Sequence, residues 1–213
     1  MAVTITVNQI LRLAPNACAN YREAFQNGQE ILNQCGITAT PIRVAHFMAV
    51  VLHESNGLTI QVERMTYTAE RLPKVWPSRF KPTGPLDPAD FAHDEQKQFN
   101  EIYGGRMGNS EPDDGFTYRG RGLLQLTGKD SYREATAQVR ALDPAAPDFV
   151  AFPDAVLSAQ WCLVVAATEW AAKGSNAEAD QDDVRKVSRA INGSLIGLSE
   201  REKWLRRAKI VWF

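Results

Sequence analysis

Apolar positions recur at helical spacing over most of the chain. Ile10, Leu11 and Leu13 precede Pro15, and Tyr21, Phe25, Ile31 and Leu32 precede Gly36, which predicts helical segments within residues 4–35. Thr40 followed by Pro41 predicts a helix start, with a hydroxyl to cap an orphan N–H and a proline where none is needed. Asn56-Gly57 is the matching stop. Beyond it Leu58, Ile60 and Val62 alternate with Thr59, Gln61 and Glu63, the pattern of a short half-buried strand with a polar face.

The remaining elements follow the same logic. Pro73 and Pro77 allow only short helical pieces over 66–80, and Asp87-Pro88 opens a polar helix to about Tyr103 with Phe91 and Phe99 inward. Residues 104–122 are glycine-rich and aperiodic, which reads as a long loop of the kind that carries function. Leu124 and Leu126 alternate with Gln125 and Thr127 in an extended segment, and a helix then runs to Leu142. Pro153 to Lys173 has the pattern of a core helix, and 181–191 and 198–211 predict two more. The expected class is mainly α with a small irregular β element, in one domain over 1–213 with a small lobe around 66–118.

Within this frame two glutamates stand in unlike settings. Phe47, Val50, Val51 and Glu54 follow the spacing i, i+3, i+4, i+7, so Glu54 continues an apolar stripe into the last turn of its helix. Poor solvation and the negative end of the helix dipole both push such a carboxyl upward, toward a proton donor. Glu63, on the polar face of the predicted strand, is expected to stay ionised. Two carboxyls whose environments separate them form the acid and base of glycoside hydrolysis, although a helix-end glutamate is ordinarily a surface residue or an ion-pair partner.

Other polar residues carry less. Gln125 and Thr127 place an amide and a hydroxyl on one face, suited to sugar hydroxyls or simply to water. Trp76, among prolines, reads as a loop anchor or a sugar platform. His46 and His53 are seven apart rather than four, and His93 is remote, so no metal site and no cofactor are expected. One Arg-Gly-Arg-Gly run at 119–122 is too short for an RNA-binding repeat.

Composition narrows the classes. A formal charge of −1 argues against general capture of nucleic acid or anionic membrane. The charge is uneven, with eight Lys or Arg against two Glu over 184–213. Cys18, Cys35 and Cys162 lack pairing or zinc-ligand spacing and read as small core residues. The N-terminus lacks the pattern of a secretory signal and no run is long enough to cross a bilayer, so the expectation is the cytoplasm, without membrane insertion.

Four ordered motifs from about Ile42 onward resemble glycoside hydrolase family 19, and its phage endolysin branch more than the plant chitinases. They are AHFMAVVLHES around Glu54, VERMTYTAERL with WPSRF after Glu63, YRGRGLLQLTGKDSY, and RAINGSLIGLSER. The resemblance implies an α-rich, lysozyme-like fold with a cleft between two lobes, and inverting hydrolysis of β-1,4 bonds beside N-acetylated sugars. It implies Glu54 as general acid, Glu63 as general base and Thr127 as holder of the attacking water. Gln125, Tyr132 and Asn192 match substrate-binding positions, and Arg201 a cleft arginine of the family's charge network.

Plant members carry disulfides and an acidic residue soon after the Asn-Gly pair, where this chain has Ser194-Leu195-Ile196. The expected role is therefore a monomeric endolysin acting on the peptidoglycan glycan strand. It would wait in the host cytoplasm until a holin releases it to the periplasm. A chitinase is the alternative, and a non-catalytic glycan-binding protein on the same fold a further one.

Overall fold

The computed structural model describes residues 2–213. Its helices are α1 (Val7–Leu13), α2 (Ala19–Asn27), α3 (Gln29–Gln34), α4 (Pro41–Glu54), α5 (Leu72–Val75) and α6 (Glu95–Tyr103). They continue with α7 (Asp114–Thr117), α8 (Lys129–Arg140), α9 (Cys162–Ala172), α10 (Ser175–Asp180), α11 (Val184–Asn192) and α12 (Leu198–Trp212). The fold is mainly α, as the periodicity predicts.

The organising element is α4. Thr40 caps it by accepting from the Arg43 N–H at 3.3 Å, and Pro41 occupies its first turn. Every residue from Val44 to Leu52 is buried, so α4 is enclosed on all sides rather than amphipathic. The long α12 lies along it, and Phe47 meets Trp170 of α9 edge to face, with ring centroids 5.5 Å apart. Burying side chains such as Phe47, Val50 and Val51 is worth roughly 1.5–3 kcal/mol each, which fixes the helix that ends in Glu54.

Two further apolar clusters flank this core. Tyr118, Leu126, Tyr132, Val139, Phe149 and Val165 form one. The other gathers Met65, Leu72, Phe80, Phe99 and Ile102, with Tyr67, Trp76 and Tyr103 against it.

Several expected elements differ. No strand forms among the described residues; Val62 and Leu126 each make only an isolated bridge to Arg121. The alternation over 58–63 is broken because Asn56, Gly57 and Leu58 all take positive φ, and the N–H groups of Thr59 and Ile60 both donate to the Ser55 carbonyl. The chain coils there, with Leu58 buried and Ile60 exposed. Residues 122–125 likewise form a turn, with Gln125 at φ 53°.

The helix expected over 153–173 is a 3-10 turn at Pro153–Leu157 and then α9, because Ser158 is extended and its hydroxyl accepts from the Trp161 N–H. The helix expected from Asp87 to Tyr103 is interrupted at His93, where φ is 60°, and resumes as α6. No helix among the described residues is long and apolar enough to cross a membrane.

Candidate active site

The end of α4 and the turn after it place the two glutamates. Ser55 donates its hydroxyl to the Val51 carbonyl at 2.6 Å and accepts from the Leu58 N–H at 3.0 Å, tying the exit of the helix to its last turn. Three residues in left-handed geometry then reverse the chain. The returning segment is stitched to the glycine-rich loop: the Glu63 N–H donates to the Gly120 carbonyl at 2.8 Å, and the Gly122 N–H to the Gln61 carbonyl at 2.8 Å. Glu54 and Glu63 thereby line one pocket of about 590 Å³.

Glu54 is held by donors from the far end of the sequence. The Asn192 amide donates to its Oε1 at 2.8 Å and the Arg201 guanidinium at 3.4 Å, while His53 Nε2 lies 3.8 Å away. Arg201 is wholly buried, and its Nε and Nη1 have no hydrogen-bond partner among the described residues. The setting is therefore not the bare apolar stripe expected from spacing: the stripe belongs to α4, but α11 and α12 supply polar partners at its end.

Glu63 differs from expectation too. It is half-buried rather than on a solvated strand face, and burial pushes its carboxyl above the ordinary value. Opposing this, the Tyr103 hydroxyl donates to Oε1 at 3.0 Å, the Gly120 N–H to Oε2 at 3.3 Å, and the positive charge of Arg119 lies nearby. Position 120 has little room for a side chain: a Cβ there would lie 3.0 Å from Glu63 Oε2 and 3.1 Å from Gln125 Oε1.

Gln125, Thr127 and Asn192 line the same pocket. Gln125 arrives through the turn, its side-chain amide donating to the Gly122 carbonyl at 2.9 Å. The Thr127 hydroxyl donates to the Gln125 carbonyl at 2.7 Å, so toward the pocket its oxygen is an acceptor.

Two residues expected at the substrate stand elsewhere. Tyr132 is fully buried, its hydroxyl donating to the Arg119 carbonyl and accepting from Arg121, both at 2.9 Å. It braces the loop from behind. Trp76 packs edge to face on Tyr67, ring centroids 5.2 Å apart, and lies outside the pocket lining. Its apolar body is taken up by the cluster around Phe80 and Phe99.

Pattern reading missed Tyr103, Glu169 and Lys173. Lys173 donates to Glu169 and to the Ile191 carbonyl, both at 2.7 Å, so it braces the residue before Asn192. A signal for this pair was present: Glu169 is a lone acid in an otherwise apolar helical run, four residues before a lysine. Tyr103 had no comparable local signal. Among the described residues no group of three or more metal-ligating side chains is gathered.

No family model matches the chain. A "Glycosyl hydrolase family 19 domain-containing protein" of Haemophilus influenzae is 34% identical over 169 residues, covering 76% of this chain and 76% of that protein. The chain belongs to glycosyl hydrolase family 19 and is a glycoside hydrolase. Chitinase C from Streptomyces griseus HUT6037 shares the fold, with a TM-score of 0.60 at 18% identity over 99% of this chain and 93% of its own. A bacterial family 19 chitinase superposes with a TM-score of 0.55 at 20% identity, over 98% of this chain and 95% of its own.

Proposed function

We propose that the protein is a phage or prophage endolysin that hydrolyses β-1,4 glycosidic bonds of bacterial peptidoglycan by an inverting acid and base mechanism. The observation that carries the chemistry is the convergence of Glu54, Glu63, Gln125, Thr127 and Asn192 on one pocket. Endolysin rather than chitinase is favoured by the sequence motifs and by the missing acidic residue after Asn192-Gly193.

In this reading Glu54 is the acid and Glu63 the base. Asn192 and Arg201 both address Glu54 Oε1, which leaves Oε2 to carry the proton for the leaving oxygen. The attacking water gives one hydrogen to Glu63 and the other to Thr127, whose hydroxyl already donates to the Gln125 carbonyl. The water's lone pair is then free to face the anomeric carbon. Gln125 and Asn192 hold the sugars, in a cleft of which the pocket is a part. The protein works as a monomer without metal, reaching the periplasm only when a holin opens the inner membrane.

Chitin is the second candidate substrate, because the structural neighbours are chitinases. Incubation with purified peptidoglycan and with chitin oligomers separates the two. The proposal expects soluble reducing ends from peptidoglycan; turnover of chitin alone would overturn it.

A further inference from the structure

Glu63 is clamped from two sides by groups of different origin. The Gly120 N–H on Oε2 is backbone, and the reciprocal bond from the Glu63 N–H to the Gly120 carbonyl fixes it there. The donor on Oε1 is a side chain forty residues further along, the Tyr103 hydroxyl. Tyr103 ends α6, with its ring stacked on Phe99 at a centroid distance of 5.9 Å and an interplanar angle of 26°. Its carbonyl accepts from the Asn109 amide at 2.9 Å. The phenol is thus held by the apolar cluster of residues 65–116 and presented to the pocket by it.

We infer that Tyr103 is a positioning residue for Glu63: it holds one carboxylate oxygen in place and favours the charged form that takes a proton from water. This rests on the reading of Glu63 as the base. Phenylalanine would fill the same space and keep the stack on Phe99, so packing alone does not call for the hydroxyl. Burial and the Glu63 charge push the Tyr103 phenol well up, so it keeps its proton wherever a carboxylate base operates and stays a donor. A donor to a carboxylate favours ionisation, against the desolvation that opposes it at Glu63. The base then depends on the packing of α6, because displacing Phe99 and Tyr103 from this contact would leave Glu63 half-buried with one donor fewer.

The test is the pH profile of kcat/KM for wild type, Tyr103→Phe and Glu63→Gln on soluble peptidoglycan fragments, or on chitin oligomers if only these turn over. With Tyr103→Phe the acid limb moves to higher pH. The loss is roughly tenfold at the acid end, the equivalent of one charge-assisted hydrogen bond, and shrinks toward the alkaline side with KM little changed. A Tyr103→Phe profile that superimposes on wild type, or is lowered equally at every pH, would overturn the assignment. A 13C NMR titration of the Glu63 carboxyl in both proteins reads the same quantity without turnover. A higher midpoint in Tyr103→Phe supports the inference and an unmoved one contradicts it. Should Glu63→Gln remain active, the base reading itself fails, which is a separate outcome.

Discussion

The guanidinium of Arg201 reaches the Glu54 carboxylate at 3.4 Å from a side chain that is itself wholly buried. Glu54 ends α4 and Arg201 lies in the first turn of α12, so the most extensive helix pairing of the core also assembles the proposed acid. Removing Arg201 takes a donor from Glu54 Oε1 and opens a cavity where a wholly buried side chain stood. Arg201→Ala is expected to lose about 2–3 kcal/mol in urea unfolding, with the midpoint lowered and the slope little changed. A loss below about 0.5 kcal/mol, the range of surface substitutions, would show that Arg201 does not anchor this end of α4.

Gly120 sits where a side chain would press on both Glu63 and Gln125. Gly120→Ala should therefore lower kcat by up to about 10-fold by displacing the base, with little effect on thermal stability. Parallel measurement of turnover and Tm checks this. A variant with wild-type kcat would mean that the close approach has no catalytic consequence.

Glu63 links function to stability with a definite sign. Burial raises its folded-state value, so the folded protein binds this proton more tightly than the unfolded chain does. Its contribution to stability is present at pH below the ordinary carboxylate value and is lost as pH rises through the raised one. Glu63→Gln should accordingly abolish hydrolysis while raising Tm at neutral pH, and the gain should vanish in acid. An unchanged or lower Tm at neutral pH would contradict this.

Trp76 belongs to the apolar cluster around Phe80 and Phe99 rather than to the pocket lining. Trp76→Ala is expected to destabilise by about 2 kcal/mol, below the range for fully buried tryptophans because Trp76 is half-buried, and to leave kcat/KM on soluble oligomers within about twofold. A selective rise in KM without loss of stability would restore it to the substrate.

What the sequence made legible was local. Thr40, Pro41 and Asn56-Gly57 mark the ends of α4 because a cap, a proline and a glycine act on their immediate neighbours. The strand over 58–63 was misread because alternation cannot register three consecutive left-handed residues and a serine that gathers the turn. The break before α9 was hidden for a similar reason, since Ser158 supports a turn inside an apolar pattern. At the site, motif resemblance named Glu54, Glu63, Thr127 and Asn192. The Asn192 bond to Glu54 spans 138 residues and the Tyr103 bond to Glu63 spans 40, separations at which no periodicity carries information. Glu63 looked solvated because the groups that meet its carboxyl, Tyr103 and Gly120, lie 40 and 57 residues away.

The central claim is that Glu54 and Glu63 act from opposite faces of the sugar, as acid and base in a single displacement. The most direct test is the anomeric configuration of the reducing end at the moment of release, followed by 1H NMR during the first minutes of digestion, before mutarotation. Hydrolysis of the β-linked substrate is predicted to yield the α anomer first. Initial release of the β anomer would mean retention, and would contradict the assignment of Glu63 as a base acting on water.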